Sequence, residues 1–303
     1  MTTMNLRPFS ARWLAAMLLA LVSVVLISCP AQAPETTPNL DLLVDTDWVA
    51  SHLGDDAVRI VDMRPMDDYT QGHIPGAVQL DLVAVRTITD GVRGQVAPPE
   101  TVEAVLGRLG IDVETTVVIY DADTGIDAAR LFWTLEYYGH HDVHLLDGGW
   151  GAWQREGKET STEPPSVALK TFVARPRSEL IANAAWMLAH LDDENPTIVD
   201  ARSVEEYRGE DVRAQRGGHI PGAILVDWQT TLNKDGSFKD VAALEALYQS
   251  AGLIPGQEVV TYCQTGHRAA HDYFTLRLLG YTVRLYDGSW EEWGNRSDTP
   301  VEQ

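Results

Sequence analysis

The chain has 303 residues and a formal net charge of −21, with apolar and charged contents of 45% and 22% that are ordinary for a globular protein. This length suggests about two domains, each long enough to form its own core. The negative charge argues against nucleic acid or an anionic membrane surface as the main partner, and it means that an anionic substrate needs a local cationic pocket.

The first 28 residues are predicted to be a signal peptide. Arg7 and Arg12 form a basic start, and the apolar run over residues 13–28 is 16 residues long. A stable membrane span needs about 20 residues, so export is favoured over a retained anchor helix. Residues 29–39 are rich in Pro and Thr and are predicted to be a tether.

The processing site has two interpretations. Residues 26–29 resemble a bacterial lipobox, in which Cys29 is lipidated and becomes the mature N-terminus. Cleavage after Ala33 is the alternative, because residues 31–33 fit the small-x-small rule. We therefore expect an exported protein that is either periplasmic or anchored to a membrane through a lipid on Cys29.

The rest of the chain is an internal repeat, because five blocks recur in the same order. The matched pairs of residues are 60–64 with 198–202, 67–69 with 205–207, 72–77 with 218–223, 117–120 with 259–262, and 147–150 with 287–290. The unit of about 120 residues is too long for a solenoid repeat. The sequence therefore indicates a domain duplication.

Short β-branched runs alternate with helical patterns within each unit. In the second unit, strands are predicted over 197–200, 259–262 and 283–286, and helices over 241–252 and 269–279. This alternation predicts an α/β fold in which each unit forms a mainly parallel sheet with helices on both faces. The predicted domains are 40–154 and 179–296, joined by a linker at 155–178 that contains Pro164 and Pro165.

Cys263 is the main candidate for chemistry. It lies between a predicted strand and a predicted helix, where converging backbone N–H groups and the helix dipole favour the nucleophilic thiolate. The chain has one other cysteine, Cys29, which belongs to the signal region. No internal disulfide is therefore available, and the function must use one thiol.

The tandem units, the Asp-x-Arg and Gly-His-Ile-Pro-Gly-Ala blocks and the cysteine loop together resemble a two-domain rhodanese sulfurtransferase over roughly residues 40–296. The resemblance implies tandem rhodanese-like domains of which only the second is catalytic. Asp121 takes the position of Cys263 in the first unit, and its loop carries three carboxylates and no nucleophile. The implied reaction moves the outer sulfur of a donor onto Cys263 as a persulfide and then to a thiophilic acceptor such as cyanide, without another cofactor.

The resemblance also implies that the loop after Cys263 holds the donor. Its backbone N–H groups would surround the extra sulfur, and a glycine allows the backbone angle that this requires. Members of the family that use 3-mercaptopyruvate carry small neutral loop residues, whereas this loop offers two potential cations. We therefore expect thiosulfate as the donor and keep 3-mercaptopyruvate as the alternative. The candidate binding residues are Gln264, Thr265, Gly266, His267 and Arg268.

Arg202 is a weaker binding candidate. Arg202 and Asp200 recur as Arg64 and Asp62 in the unit that lacks the nucleophile, which favours a structural ion pair in each unit. His73 and His219 lie in paired turn motifs and are predicted to be structural. No metal site is predicted, because adjacent histidines at 140 and 141 point apart on a helix and no further ligands complete a set.

Two other functions fit parts of the sequence. A phosphatase or arsenate reductase would carry Cys-x5-Arg, but the spacing from Cys263 to Arg268 is Cys-x4-Arg. A non-enzymatic sulfide-sensing or docking module would not need an intact cysteine loop. A sulfurtransferase remains the favoured interpretation.

Overall fold

The computed structural model describes residues 1–3 and 37–303. The predicted signal peptide, Cys29 and the cleavage site after Ala33 lie outside the described residues, as does most of the predicted tether. Among the residues that are described, no helix combines the length and the apolar character needed to cross a membrane.

Two five-stranded parallel sheets, one in each repeat, form the framework. Their strand orders are β1-β7-β6-β2-β3 and β8-β12-β11-β9-β10, so every strand has a counterpart at the same place in the other sheet. The strands of the first sheet are β1 (Leu43–Val44), β2 (Val58–Asp62), β3 (Val78–Gln79), β6 (Thr116–Tyr120) and β7 (Val143–Leu146). Those of the second are β8 (Ile181–Ala182), β9 (Thr197–Asp200), β10 (Ile224–Leu225), β11 (Val259–Tyr262) and β12 (Val283–Tyr286).

The three strands predicted for the second unit are confirmed. The first domain also contains an antiparallel hairpin that was not predicted from the sequence, formed by β4 (Arg86–Thr89) and β5 (Val92–Val96). Asp90 and Gly91 form its turn, and both adopt positive φ values of 52° and 83°. An Asp-Gly pair with two positive φ angles suits the tight turn of a two-residue hairpin.

Helices cover both faces of each sheet, so the predicted α/β fold with two mainly parallel sheets is confirmed. The helices of the first domain are α1 (Thr46–Ser51), α2 (Met66–Gln71), α3 (Pro99–Arg108), α4 (Ile126–Tyr137) and α5 (Gly149–Arg155). Those of the second are α6 (Ala184–Ala189), α7 (Val204–Tyr207), α8 (Val241–Ser250), α9 (His267–Leu278) and α10 (Ser289–Trp293).

The alternation of side chains along the strands explains the layers. On β6, Val117 and Ile119 join the core that includes α3 and α4, whereas Val118 joins the core that includes Trp153 of α5. Successive strand residues point to opposite faces, so a run that is apolar throughout buries both faces of its sheet.

The two domains meet through α4 and α9, which share one continuous core. The rings of Phe132 and Phe274 meet edge to face at a centroid distance of 5.0 Å. Arg277 of α9 forms an ion pair with Glu136 of α4 at 3.0 Å. Because each domain buries its helix against the other, side chains of the first domain reach the cysteine loop of the second.

Candidate active site

Cys263 directly follows β11 and therefore lies at the carboxyl end of its parallel sheet, where ligands of open α/β folds bind. The residue is 1% exposed. Its N–H donates to Ser289 Oγ at 3.2 Å, and its carbonyl oxygen accepts from the N–H of Trp290 at 2.9 Å. The start of α10 thus fixes the backbone that carries the sulfur.

The turn after Cys263 is built around Gly266, which has φ +73° and caps the N-terminus of α9. A Cβ atom at this position would lie 2.7 Å from Arg130 Nη1, so both the backbone angle and the close approach of the first domain require glycine. Within residues 37–303, no protein group accepts from the backbone N–H groups of residues 264–268. These groups can therefore serve an anion at Cys263.

The corresponding turn of the first domain binds its own side chain. Asp121 takes the place of Cys263, and its carboxylate accepts from the N–H groups of Gly125 and Asp127, each at 2.9 Å. Burial raises the pKa of Asp121 to about 6, against these hydrogen bonds, which favour the carboxylate. Gly125 caps α4 with φ 71°, as Gly266 caps α9, but this turn contains one more residue between the strand and the glycine.

Arg268 lies in the first turn of α9 and is paired with Glu206. Its Nη1 and Nη2 donate to the two carboxylate oxygens at 2.6 and 2.8 Å. Burial opposes the charge on Glu206, but the hydrogen bonds and charge of Arg268 outweigh it, so the pKa of Glu206 lies below its ordinary value. This bidentate pair explains why a cation is stable at a helix N-terminus, where the dipole disfavours it.

His267 and Gly266 are held by the first domain. The Nε2 atom of His267 lies 2.6 Å from the carboxylate of Asp127. The fully buried Arg130 donates to the carbonyl oxygen of Gly266 at 3.0 Å and forms an ion pair with Asp287 at 2.6 Å. The predicted non-catalytic domain therefore braces the cysteine loop from across the interface.

The two remaining loop candidates also have partners. Thr265 offers its carbonyl oxygen to Arg86 of the hairpin at 3.0 Å. The side-chain amide of Gln264 donates to the carbonyl oxygen of Arg213 at 3.2 Å and to Glu291 at 3.3 Å. Each of the five predicted loop residues therefore has a partner that fixes the loop after Cys263.

Arg202 forms the ion pair that its recurrence suggested. It lies 2.7 Å from Asp200, donates to the carbonyl oxygen of Gly218 at 2.7 Å, and stacks 4.5 Å from the ring of Trp290. Arg64 makes the equivalent bonds to Asp62 and Gly72 and stacks on Trp150. A contact of Arg202 with substrate stays a prediction.

Several residues of this region were not predicted from the sequence: Arg86, Asp127, Arg130, Asp287 and Ser289. The position of Ser289 could have been recognised as unusual, because the repeat places Gly149 at the same position and a glycine there indicates a positive φ angle. Both residues adopt positive φ, 49° and 52°, which is uncommon for a serine. The strained backbone places the Ser289 hydroxyl at the Cys263 N–H, whereas the contacts of Arg86 and Arg130 cross between domains and leave no local signature.

Comparison with known proteins covers both halves of the molecule. Residues 45–156 and 183–296 match the family model of the rhodanese-like domain. The sulfur carrier protein TtuD of Thermus thermophilus is 39% identical over 276 residues, or 86% of this chain and 96% of that protein. The thiosulfate sulfurtransferase of Azotobacter vinelandii is 35% identical over 265 residues, or 87% and 98%.

Among solved structures, the 3-mercaptopyruvate sulfotransferase SseA from Escherichia coli is similar, with a TM-score of 0.74 and 28% identity. The match covers 82% of this chain and 98% of that chain. The similarity therefore extends over the whole tandem unit and is not confined to one of its domains.

Proposed function

The chain belongs to the rhodanese family of sulfurtransferases, and from that premise we propose that it transfers the outer sulfur of thiosulfate to a thiophilic acceptor, such as cyanide, through a persulfide on Cys263. In the first step the Cys263 thiolate attacks the outer sulfur, the S–S bond of thiosulfate breaks, and sulfite leaves with the bonding electron pair. In the second step the acceptor attacks the terminal sulfur of the persulfide, and the thiolate is regenerated.

One observation carries the proposal, namely the carboxylate of Asp121 in the turn of the first domain. It accepts hydrogen bonds from the N–H groups of Gly125 and Asp127. These residues belong to a turn of the same kind as the one that follows Cys263. The backbone N–H groups of this turn therefore bind a carboxylate in the half of the molecule where the acidic group is part of the chain, and they oppose the effect of burial on its pKa. A persulfide anion on Cys263 would use the matching groups of the second domain.

Charge supports an anionic donor. Arg268 and His267 lie at the loop, although Glu206 and Asp127 pair with them. The protein as a whole repels anions, so Arg268, Arg86 and Arg130 offset the general field near Cys263. 3-Mercaptopyruvate stays the second candidate, because the similar structure of SseA is that of a 3-mercaptopyruvate sulfotransferase.

Steady-state assays with the two donors test the proposal. Cyanide serves as acceptor in both, and thiocyanate is the measured product. We expect the larger kcat/KM with thiosulfate. A larger kcat/KM with 3-mercaptopyruvate would replace the donor and leave sulfur transfer in place, whereas no thiocyanate from either donor would reject the proposed reaction.

The phosphatase alternative conflicts with the size of the turn. The turn from Cys263 to Arg268 is one residue shorter than its counterpart in the first domain, which surrounds a carboxylate. A tetrahedral oxyanion needs further N–H donors around its additional oxygens at about 2.7–3.1 Å. We therefore expect no appreciable hydrolysis of an aryl phosphate, and turnover equal to that of thiosulfate would restore the phosphatase interpretation.

Export is a separate proposal that rests on the sequence. We propose that the protein is exported and that Cys29 becomes a lipidated N-terminus, because residues 26–29 match a lipobox. Two acyl chains on one lipid give stable anchoring. Mass spectrometry of the mature N-terminus tests this, since a soluble product that begins at Pro34 would instead place cleavage after Ala33.

A further inference from the structure

Arg86 connects the first domain to the cysteine loop. It follows the short 3-10 helix Leu82–Val85 and begins β4. Its Nε donates to the carbonyl oxygen of Gly94 at 2.9 Å, and its Nη2 donates to that of Thr265 at 3.0 Å. Thr265 lies two residues after Cys263, so this guanidinium group is directly at the catalytic loop.

The charge of Arg86 differs from that of its neighbours because it has no acidic partner. The other basic side chains at the loop each contact a carboxylate: Arg268 contacts Glu206, Arg130 contacts Asp287, and His267 contacts Asp127. Among the described residues, Arg86 bonds only to carbonyl and hydroxyl groups.

Burial lowers the pKa of Arg86, and nearby Arg130 lowers it further, while Asp287 and Cys263 act in the opposite direction. A guanidinium group nonetheless stays charged at neutral pH. Arg86 therefore supplies a positive charge at the loop that, among the described residues, no carboxylate contacts directly.

A cavity of about 560 Å³ opens beside this guanidinium group. Its walls are the 3-10 helix, the hairpin and Thr265. Gly94 shapes this wall, since it has φ +83° and a Cβ atom there would overlap Arg86. The hairpin is thus built to hold the guanidinium between the cavity and the cysteine loop.

The repeat provides an internal comparison. Arg86 lies five residues after Asp81, which caps the 3-10 helix of the first domain. The second domain has a matching 3-10 helix capped by Asp227, and the residue five positions later is Leu232. The arginine is therefore present on the domain that faces the cysteine, and a leucine takes its place on the domain that faces Asp121.

We propose that Arg86 binds the anionic sulfur donor, so that the domain without the nucleophile supplies the charge that recognises the substrate. The proposal rests on the proposed function and specifies its donor site. A planar guanidinium matches the oxygens of a sulfonate group, and the sulfite that leaves after attack by Cys263 carries two negative charges. A dianionic donor therefore gains more from Arg86 than a monoanionic donor does.

The test compares thiosulfate with benzenethiosulfonate, a monoanion that gives its outer sulfur to Cys263 and leaves as benzenesulfinate. Arg86→Leu copies Leu232, and Arg86→Lys keeps the charge but loses the planar fork. Arg108→Leu is the matched control, because Arg108 is an exposed arginine of the same domain at the end of α3. The rate of persulfide formation and the apparent KM are measured for each donor, with melting curves for all variants.

For thiosulfate, Arg86→Leu is expected to lower kcat/KM roughly 10- to 100-fold, mainly through KM, with an intermediate loss in Arg86→Lys. The loss with benzenethiosulfonate is expected to be several-fold smaller. Wild-type rates in folded Arg86→Leu, or equal losses with both donors, would overturn the donor role and leave sulfur transfer intact. If Arg86→Leu does not fold, equal losses for the two donors in Arg86→Lys overturn the role in the same way. Absence of persulfide in the wild type with either donor would instead reject the proposed function together with this inference.

Discussion

The turns after β6 and β11 have the same architecture and different chemistry. Each turn ends at a left-handed glycine that caps a long helix, Gly125 in the first domain and Gly266 in the second. In the first, the carboxylate of Asp121 occupies the centre and is held by the N–H groups of its own turn. In the second, the centre belongs to Cys263. A duplicated fold thus keeps backbone N–H groups that can bind an anion in both copies, and the central side chain, the length of the turn and the neighbouring charges together decide whether that backbone supports chemistry or structure.

The two helices that follow these turns, α4 and α9, each hold the turn of the other domain through one side chain, and the two side chains differ in charge. Arg130 of α4 reaches the carbonyl oxygen of Gly266, while His271, its counterpart on α9, lies 3.1 Å from the carbonyl oxygen of Thr124. The permanently charged Arg130 therefore holds the cysteine turn. His271, which burial keeps neutral, holds the aspartate turn.

The largest expected effect follows from moving the nucleophile. Cys263→Ser should fold normally and lose sulfur transfer completely, because an oxygen does not carry a persulfide and the other cysteine, Cys29, lies in the predicted signal region. Adding Asp121→Cys to this variant should not restore activity, because that turn is longer and carries the carboxylates of Asp123 and Asp127. Thiocyanate formation and melting curves check both variants. Activity in Cys263→Ser would contradict the role of Cys263, and activity in the double variant would show that the longer turn and its carboxylates do not prevent sulfur transfer.

Replacing Arg130, whose permanent charge holds the cysteine turn in place, should have the next largest effect. Arg130→Met leaves the 3%-exposed Asp287 without its cation, which typically costs about 3–5 kcal/mol for a buried pair. His271→Met removes a neutral group and should cost about 1–3 kcal/mol. Denaturant unfolding of the two variants measures the difference. Equal losses of unfolding free energy would mean that the charge of Arg130 does not make its contact with the cysteine turn stronger than the contact of His271 with the aspartate turn.

Arg268 and Asp127 occupy corresponding helix positions in the two domains and carry opposite charges. Arg268→Ala should lower kcat/KM for thiosulfate by about 10- to 150-fold, equivalent to about 1.5–3 kcal/mol. The cause is the loss of a cation at the loop together with an uncompensated carboxylate on Glu206. Arg213→Ala is the control, since Arg213 lies 3.6 Å from the same carboxylate but is largely exposed. Losses of similar size in the two variants would argue against a special role for Arg268.

The smallest predicted effect is a pH dependence of the interface. Burial lowers the pKa of His271 from 6.5 to about 3, so the folded protein favours the neutral ring. Its contribution to stability is therefore present above pH 6.5 and is lost as the pH falls towards 3, by about 1.4 kcal/mol per pH unit. Between pH 7 and pH 5 the wild type should lose about 2 kcal/mol more than His271→Gln. Equal losses in denaturant unfolding at the two pH values would contradict this.

Much of the fold was predictable because the repeat shows the strands of the two main sheets twice. The apolar β-branched runs at Val259–Tyr262 and Val283–Tyr286 identified central strands, and glycines marked the ends of helices. The helix predicted to begin at residue 269 begins at His267, because the left-handed Gly266 caps it directly. The hairpin was missed although its Asp90-Gly91 turn is a recognised hairpin signal.

The nucleophile and its loop were also predictable, since they are contiguous in the chain. Their surroundings were not, because Arg86 lies 179 residues from Thr265 and Arg130 lies 136 residues from Gly266. The sequence contains no local pattern that reports contacts between duplicated domains. It also predicted Arg268 as a cation for the donor without showing that Glu206 would pair with it.

A mass spectrum of the purified protein after exposure to thiosulfate would show whether Cys263 carries the sulfur. The peptide containing Cys263 should gain one sulfur atom, and cyanide should remove it with formation of thiocyanate. The Cys263→Ser protein, treated in the same way, should gain none. A wild-type peptide of unchanged mass, or sulfur that appears elsewhere in the chain and is still transferred, would contradict the assignment of Cys263 as the sulfur carrier.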